Sequence, residues 1–350
     1  MNTFNIHLKD MDRNEFAKRL QSFVVPEDIS VDDLNTKVLP ISEALIALMP
    51  NSLFRYRICT NLQIEAFEND KIYAVTADLF NDPFDTLVRF DINQIKAAAK
   101  TILSFDSLLQ LKHYLEQGND FPELIKQVLP SENVEYYKEK VLTADIKEME
   151  LSIEEYKNQI LMLIDFCFPL LTTNSKKFVT IACFCETVRS ITMWSHYANN
   201  HQGFVLEYNM RPTLFSKHPN YGLYPVIYDE ERYDASSYMG WSFLKMIGIN
   251  SKNPDISSHV KCAIHKSPQW EYEQEWRLID YSSRDFCKVN STEISYKPSA
   301  IYYGMHISED NKKLLHEIAY KKGIAEYEMF IDNASSKYEM LFREYPMKQK

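Results

Sequence analysis

The chain has 350 residues, 45% hydrophobic and 25% charged, with a formal net charge of −10. That length can bury a large core in one to three domains. The acidic balance argues against broad, non-specific nucleic-acid binding, which rests on Lys and Arg neutralising phosphates. Glycines number only seven and no glycine-rich phosphate loop is present, which excludes the glycine-cradled nucleotide motifs.

The six cysteines, at 59, 167, 183, 185, 262 and 287, form no CxxC pair and read as small core residues in a reducing compartment. The opening MNTFNIHLKDMDRNEF is polar and lacks the apolar region of a signal peptide. No run reaches the ~18 consecutive apolar residues that suggest a spanning helix. A soluble, cytoplasmic protein with no membrane partner is expected.

Residues 1–50 read as a partly helical lead-in. Phe16, Leu20 and Phe23 suggest a short helix ended by Pro26, and 41–49 a second closed by Pro50. Residues 51–335 read as one α+β domain, a mixed β-sheet with flanking helices and an inserted helical subdomain. It opens with a strand at 53–58, a helix at 61–68 and a strand at 71–76. A specified turn follows at Asn81-Asp82-Pro83-Phe84-Asp85, where Asn and Asp side chains cap backbone donors. The charge-laced helical runs of 92–166 form the insertion, which offers a surface for oligomerisation or a partner. Strands are expected at 178–185, 203–208, 224–228, 270–278, 300–303 and 326–331, and helices at 192–199, 235–247, 256–266 and 309–321. Residues 336–350 read as a tail.

The sharpest pattern is WEYEQEWRL at 270–278. Read as a strand, it places Glu271, Glu273, Glu275 and Arg277 on one face, with Trp270, Tyr272, Trp276 and Leu278 on the other along with Gln274. The carboxylates then repeat about every 7 Å, and burying such a row is expensive or forces proton uptake. The row is expected to face water or a polar ligand. Glu271 belongs in solvent, Glu273 and Glu275 are the functional candidates, and Arg277 is their internal partner. By the same alternation Arg55 and Arg57 share one strand face, away from Phe54 and Tyr56. Two guanidiniums suit a bidentate grip on phosphate or carboxylate. Arginines and glutamates either frame a polar cleft or form an internal ion-pair ladder.

MWSHYANNHQG places Trp194, His196, Tyr197 and His201 within eight residues. His196 and Tyr197 can supply acid–base or hydrogen-bonding groups, although Trp194 and Tyr197, three apart on a helix, also suit a core. His196 and His201 are five apart, off the i,i+4 spacing of helical ligands, so no metal is expected there. No G-x-S-x-G elbow is present. Cys183 and Cys185 sit in an apolar run, unlike the exposed electropositive setting of a thiol nucleophile.

Four blocks, FRYR, the Asn-Asp-Pro-Phe-Asp turn, MWSHYANNHQG and WEYEQEWR, occur in the order in which they occur in the domain-of-unknown-function 2971 family, which this chain resembles. They cover 53 to about 305 and leave 92–166 as a variable insertion. A second resemblance, over 53–82, is to ADP-ribosyltransferase-type domains, including those that modify DNA or RNA. It implies NAD or another nucleotide as ligand and nucleic acid or protein as acceptor. Arg55 would then hold the nicotinamide end, Arg57 a phosphate, and Tyr73 or Thr76 the pocket wall. Glu273 or Glu275 would stand at the nicotinamide ribose, where a carboxylate stabilises an oxocarbenium-like state. Asn81, Asp82, Asp85, Trp194, Tyr197 and Arg277 complete the candidate binding set, and His196 joins the glutamates as a catalytic candidate. No His-Tyr-Glu or Arg-Ser-Glu set appears at the familiar spacing.

The first functional expectation is therefore an NAD-dependent ADP-ribosyltransferase-like enzyme, a toxin or phage-defence effector. The alternatives are a non-catalytic recognition protein and a phosphodiesterase whose Mg²⁺ is held by Asp82, Asp85 and the glutamates.

Overall fold

The computed structural model describes residues 11–102, 104–121, 131–177, 179–212, 221–246, 255–280 and 291–346. Parts of some expectations fall outside these ranges: the first ten residues, Leu103 and 122–130 of the insertion, Phe178, Ile247, Cys287 and the last four residues.

The lead-in is two helices. In α1 (Arg13–Ser22) the Asp12 side chain accepts from the Glu15 amide, a standard N-cap. Ser30 caps α2 (Val31–Leu48) in the same way. This second helix starts well before the expected 41 and runs through Pro40. The proline reads as a boundary because it lacks an N–H, but the capped start and the buried Ile41, Ala44 and Leu45 carry the helix past it.

The strands are β1 (Leu53–Arg57), β2 (Lys71–Thr76), β3 (Thr180–Cys185), β4 (Phe204–Tyr208), β5 (Tyr221–Pro225), β6 (Ile227–Tyr228), β7 (His265–Lys266), β8 (Glu275–Asp280), β9 (Ser291–Ser295), β10 (Ala300–Tyr303), β11 (Ala325–Phe330) and β12 (Leu341–Glu344). The helices after α2 are α3 (Asn61–Glu68), α4 (Ile92–Ile102), α5 (Phe105–Glu116), α6 (Ser131–Thr143), α7 (Ile146–Asn174), α8 (Ile191–Tyr197), α9 (Ser236–Met246), α10 (Ser258–Ile264) and α11 (Glu309–Lys322). The result is an α+β fold built on a mixed, mostly antiparallel sheet. Its main path runs β12-β11-β10-β4-β1-β3-β2-β9, with β8 on β3 and β5 on β8. β12 comes from the segment expected to be a tail. It pairs antiparallel with β11.

The pairing around β3 shapes the molecule. β8 runs along the whole of β3, from Thr180↔Asp280 to Cys185↔Glu275. A strand has two edges, so β1 and β2 must share the other. β1 meets it at Phe54↔Cys185 and β2 at Val75↔Ile181 and Thr76↔Thr180. Between these contacts β1 and β2 part, and the sheet opens over Cys183 and Phe184.

Directly paired residues point to the same face. Phe54, Cys185 and Glu275 therefore share one face, and Arg55 and Arg57 project to the other with Leu206 and Phe204, their partners on β4. Phe16, Leu53, Ile72, Phe184, Phe204, Trp276 and Leu278 belong to the main core. On the opposite face Tyr56, Val205, Trp194 and Tyr302 form a smaller one.

The insertion has its own apolar cluster. Ile95 and Ala99 of α4, Leu111 and Leu115 of α5, and Ile160, Ile164 and Phe168 of α7 pack with Met239 and Phe243 of α9. The α9 helix belongs to this cluster through a local tie: the Arg89 amide donates to the Tyr233 carbonyl at 2.9 Å, and the Ala235 amide to the Arg89 carbonyl at 2.9 Å. No helix among the described residues is long and apolar enough to cross a membrane.

A cavity with two differently charged ends

The 270–278 stretch folds differently from a continuous strand. Residues Pro268–Glu273 make a 3₁₀ turn, with the Ser267 side chain accepting from the Gln269 amide, and only from Glu275 onward is the chain a strand. Ser followed by Pro at the first helical position is a helix-start signal, and here it overrides the alternation. Gln274 joins the two pieces in the left-handed conformation, at φ 45°. That turn, not strand alternation, brings Glu273 and Glu275 to the same place, while Glu271 stays exposed.

Both glutamates are buried, at 4% and 3% exposure, and line a cavity, so of the two settings expected for the row, water or a polar ligand, open water is ruled out for them. Their burial is made tolerable by two buried cations. Lys266 Nζ lies 2.6 Å from Glu273 Oε2, 3.0 Å from Glu275 Oε2 and 3.6 Å from Asp85 Oδ2. Arg277 donates from Nε to Glu275 Oε1 at 2.9 Å, from Nη2 to Asp85 Oδ2 at 2.7 Å and from Nη1 to the Ala263 carbonyl at 2.7 Å. Trp270 covers Lys266, with the ammonium 4.9 Å from its ring centroid, a cation–π contact.

The charges set the protonation states. Burial alone would raise Glu275, but Arg277 and Lys266 hold it far below the usual carboxylate range. Burial and the neighbouring Glu275 raise Glu273, despite Lys266 and a hydrogen bond from Tyr197. Burial pulls the Lys266 ammonium down, and the three carboxylates outweigh it.

The cluster forms one wall of a cavity of about 720 Å³ that occupies the opening between β1 and β2. Its other charged end is formed by Arg55 and Arg57. Arg55 is 8% exposed, and its guanidinium reaches across the gap, with Nη2 3.3 Å from the Tyr73 carbonyl of β2. It rests over the Phe184 ring at 5.3 Å. Its Nε is buried without a hydrogen-bond partner. Arg57 donates to the neighbouring Tyr56 carbonyl at 2.8 Å. Among the described residues no carboxylate lies within ion-pair distance of either guanidinium. Burial, then the charge of Arg57, lowers Arg55 to about 9.

The candidate residues thus divide. Arg55, Arg57, Tyr73, Asn81, Asp85, His196, Tyr197, Glu273 and Glu275 all line the cavity. Thr76 points to the other face of β2 from Tyr73 and is buried there. Asp82 is turn-forming: Oδ1 accepts from the Phe84 amide at 2.8 Å. Arg277 lies behind the glutamates, fully buried. Trp194 is core, its indole N–H donating to the Val188 carbonyl at 2.7 Å and its ring stacked on His201.

Much of MWSHYANNHQG is therefore architecture. Asn199, Asn200 and His201 are left-handed, at φ 47°, 53° and 67°, a conformation that asparagine tolerates best among residues with a side chain. Gly203 lies so near the Arg57 carbonyl that a Cβ would sit 2.1 Å from it. The loop can press against the arginine strand only with glycine there. His196 and Tyr197 are the polar groups that this block sends to the cavity. His196 Nδ1 is 3.0 Å from the Tyr272 hydroxyl, and the Tyr197 hydroxyl donates to Glu273 Oε1 at 2.6 Å. Asn81 Nδ2 in turn donates to the Tyr197 oxygen at 3.2 Å.

Sequence reasoning missed Lys266. It sits in β7 after a short helix, and no periodicity marks it. An accounting of charge offers a signal: Arg277 alone cannot balance Asp85, Glu273 and Glu275, which calls for a second buried cation.

Residues 193–278 match the model of a family described as "Protein of unknown function (DUF2971)". That range contains the MWSHYANNHQG and WEYEQEWR blocks, while FRYR and the Asn81–Asp85 turn lie before it. No curated protein and no solved structure matches the chain.

Proposed function

We propose that this member of the DUF2971 family is an ADP-ribosyltransferase-like enzyme that takes NAD into the cavity between β1 and β2. The observation that carries this reading is the buried, partnerless Nε of Arg55 beside Arg57. An uncompensated guanidinium in a cavity is costly, and an anionic ligand is what offsets it. A pyrophosphate carries two negative charges and many acceptors, a match for two arginines. The far wall, with three carboxylates against two cations, has one negative charge in excess and suits the positive nicotinamide ring. Tyr73 and Phe80 add aromatic surface between the two ends.

In the reaction the C1′–N bond to nicotinamide breaks and its electron pair leaves on the ring nitrogen. The acceptor's nucleophile forms the new bond to C1′ and gives up its proton to water. A buried carboxylate beside C1′ stabilises the positive charge that develops there. The phosphodiesterase alternative has less support, because Asp85, Glu273 and Glu275 already bind protein cations where a metal would have to sit.

Nicotinamide release from NAD, followed with candidate nucleic-acid and protein acceptors, tests the proposal. Release by the wild-type protein that is lost in an Arg55→Met, Arg57→Met double variant is expected. Absence of both NAD binding and release in the wild type would overturn it.

A further inference from the structure

Building on the NAD reading, we propose that the two buried glutamates have separate tasks: Glu273 is the carboxylate that meets the ligand, and Glu275 is a fixed anchor of the sheet. An ionised carboxylate has about four acceptor sites. Glu275 uses Oε1 on Arg277 Nε at 2.9 Å and Oε2 on Lys266 at 3.0 Å and Arg277 Nη2 at 3.2 Å. Its backbone is held as firmly. The amide donates to the Tyr228 hydroxyl at 2.8 Å, and the carbonyl accepts from Arg13 of α1 at 2.9 Å and from the Val226 amide at 2.9 Å. Any movement of this side chain strips Arg277 of one of its two carboxylate partners, the other being Asp85.

Glu273 has a single donor on each oxygen, Lys266 at 2.6 Å and Tyr197 at 2.6 Å, and keeps acceptor sites free. Asp85 and Glu275 together neutralise Lys266 and Arg277, so the excess negative charge of the cluster falls to Glu273. Its Tyr197 partner is bonded to Asn81. One hydrogen-bond chain, Asn81–Tyr197–Glu273, therefore joins the Asn-Asp-Pro-Phe-Asp turn, MWSHYANNHQG and WEYEQEWR, three blocks far apart in the sequence. In the reaction Glu273 is the catalytic residue that faces the reacting C1′, and Glu275 holds Arg277 and also Lys266, the cation that holds Glu273.

Paired amide substitutions separate the two tasks. In Glu273→Gln the amide oxygen can keep Lys266 while its NH₂ turns to the Tyr197 oxygen, so only the cavity-lining Tyr197 hydroxyl has to turn its proton to another acceptor. In Glu275→Gln the NH₂ must face Arg277 or Lys266, donor against donor. Glu275→Gln is therefore expected to lower Tm by roughly 6 °C or more. Glu273→Gln should stay within about 2 °C of wild type while cutting nicotinamide release on the order of 100-fold. The assignment is overturned if Glu275→Gln melts like wild type or Glu273→Gln releases nicotinamide at the wild-type rate.

A ligand-free measurement distinguishes failure of this inference from failure of the NAD reading. Water-soluble carbodiimide couples amines to protonated, reachable carboxyls, and mass spectrometry of the 270–278 peptide locates the label. The exposed Glu271 labels in any case and serves as the internal reference. At mildly acidic pH, where the raised Glu273 takes up a proton before the depressed Glu275 does, labelling of Glu273 but not Glu275 in the native protein is expected. The reverse overturns the inference, whether or not the wild type cleaves NAD.

Discussion

The two charged ends of the cavity solve opposite problems. At the β8 end every buried charge touches an opposite one, with Lys266 and Arg277 set among Asp85, Glu273 and Glu275, although one negative charge is left over and Asp85 Oδ1 has no hydrogen-bond partner. At the β1 end two guanidiniums share a strand face without one, and Arg55 leaves its Nε without a partner. Removing one member of a satisfied buried network is destabilising. Removing an uncompensated charge relieves the fold. The contrast separates what holds this protein together from what awaits a ligand.

The largest expected effect comes from breaking the satisfied end. Arg277→Met should cost about 3–5 kcal/mol in chemical denaturation, because it leaves Asp85 and Glu275 short of a cation. The same network predicts the acid behaviour. Glu275 is depressed when folded, so its stabilisation is fully present above the ordinary glutamate value of 4.5 and fades as pH falls toward the folded value. Glu275→Gln should remove that part of the acid slope in melts recorded across the pH range.

At the other end Arg55→Met should leave stability unchanged or raise it by about 1 kcal/mol. It should also weaken NAD about 10- to 100-fold in calorimetry, the worth of a charge-assisted hydrogen-bonded contact. A variant that loses stability as steeply as Arg277→Met would erase the distinction between the ends. Smallest of all, Cys183 lines the cavity, but burial, followed by the nearby Glu275, pushes its thiol well up. Iodoacetamide at neutral pH should leave it unmodified in the native protein and label it after unfolding.

The legible parts of the fold were those with strong local patterning. α3 and β2 lie where the sequence puts them, because a Thr60 cap and a strict alternation mark them. Arg55 and Arg57 share a face as the alternation requires. The edge strands β9 and β12 escaped notice. STEIS is polar and largely exposed, and LFRE is four residues long with its Leu341 and Phe342 only half-buried, so neither carries a clear strand pattern of its own. The acidic row was read with the right residues and the wrong backbone. Ser267 and Pro268 start a helical turn, and the left-handed Gln274 restores by tertiary constraint the grouping that a strand would have given. Arg55 and the glutamates line one cavity, the polar cleft that was one of the two readings, but alternation alone does not show how they come to share it. Register places them on opposite faces of the sheet, and they share a cavity only because β1 and β2 part along one edge of β3.

Titration calorimetry with NAD on the wild-type protein and on the Arg55→Met, Arg57→Met double variant tests this division most directly. The account predicts saturable binding near one NAD per chain in the wild type, and its loss in a variant that melts no lower. Binding of equal strength in both proteins, or none in the wild type, would contradict it.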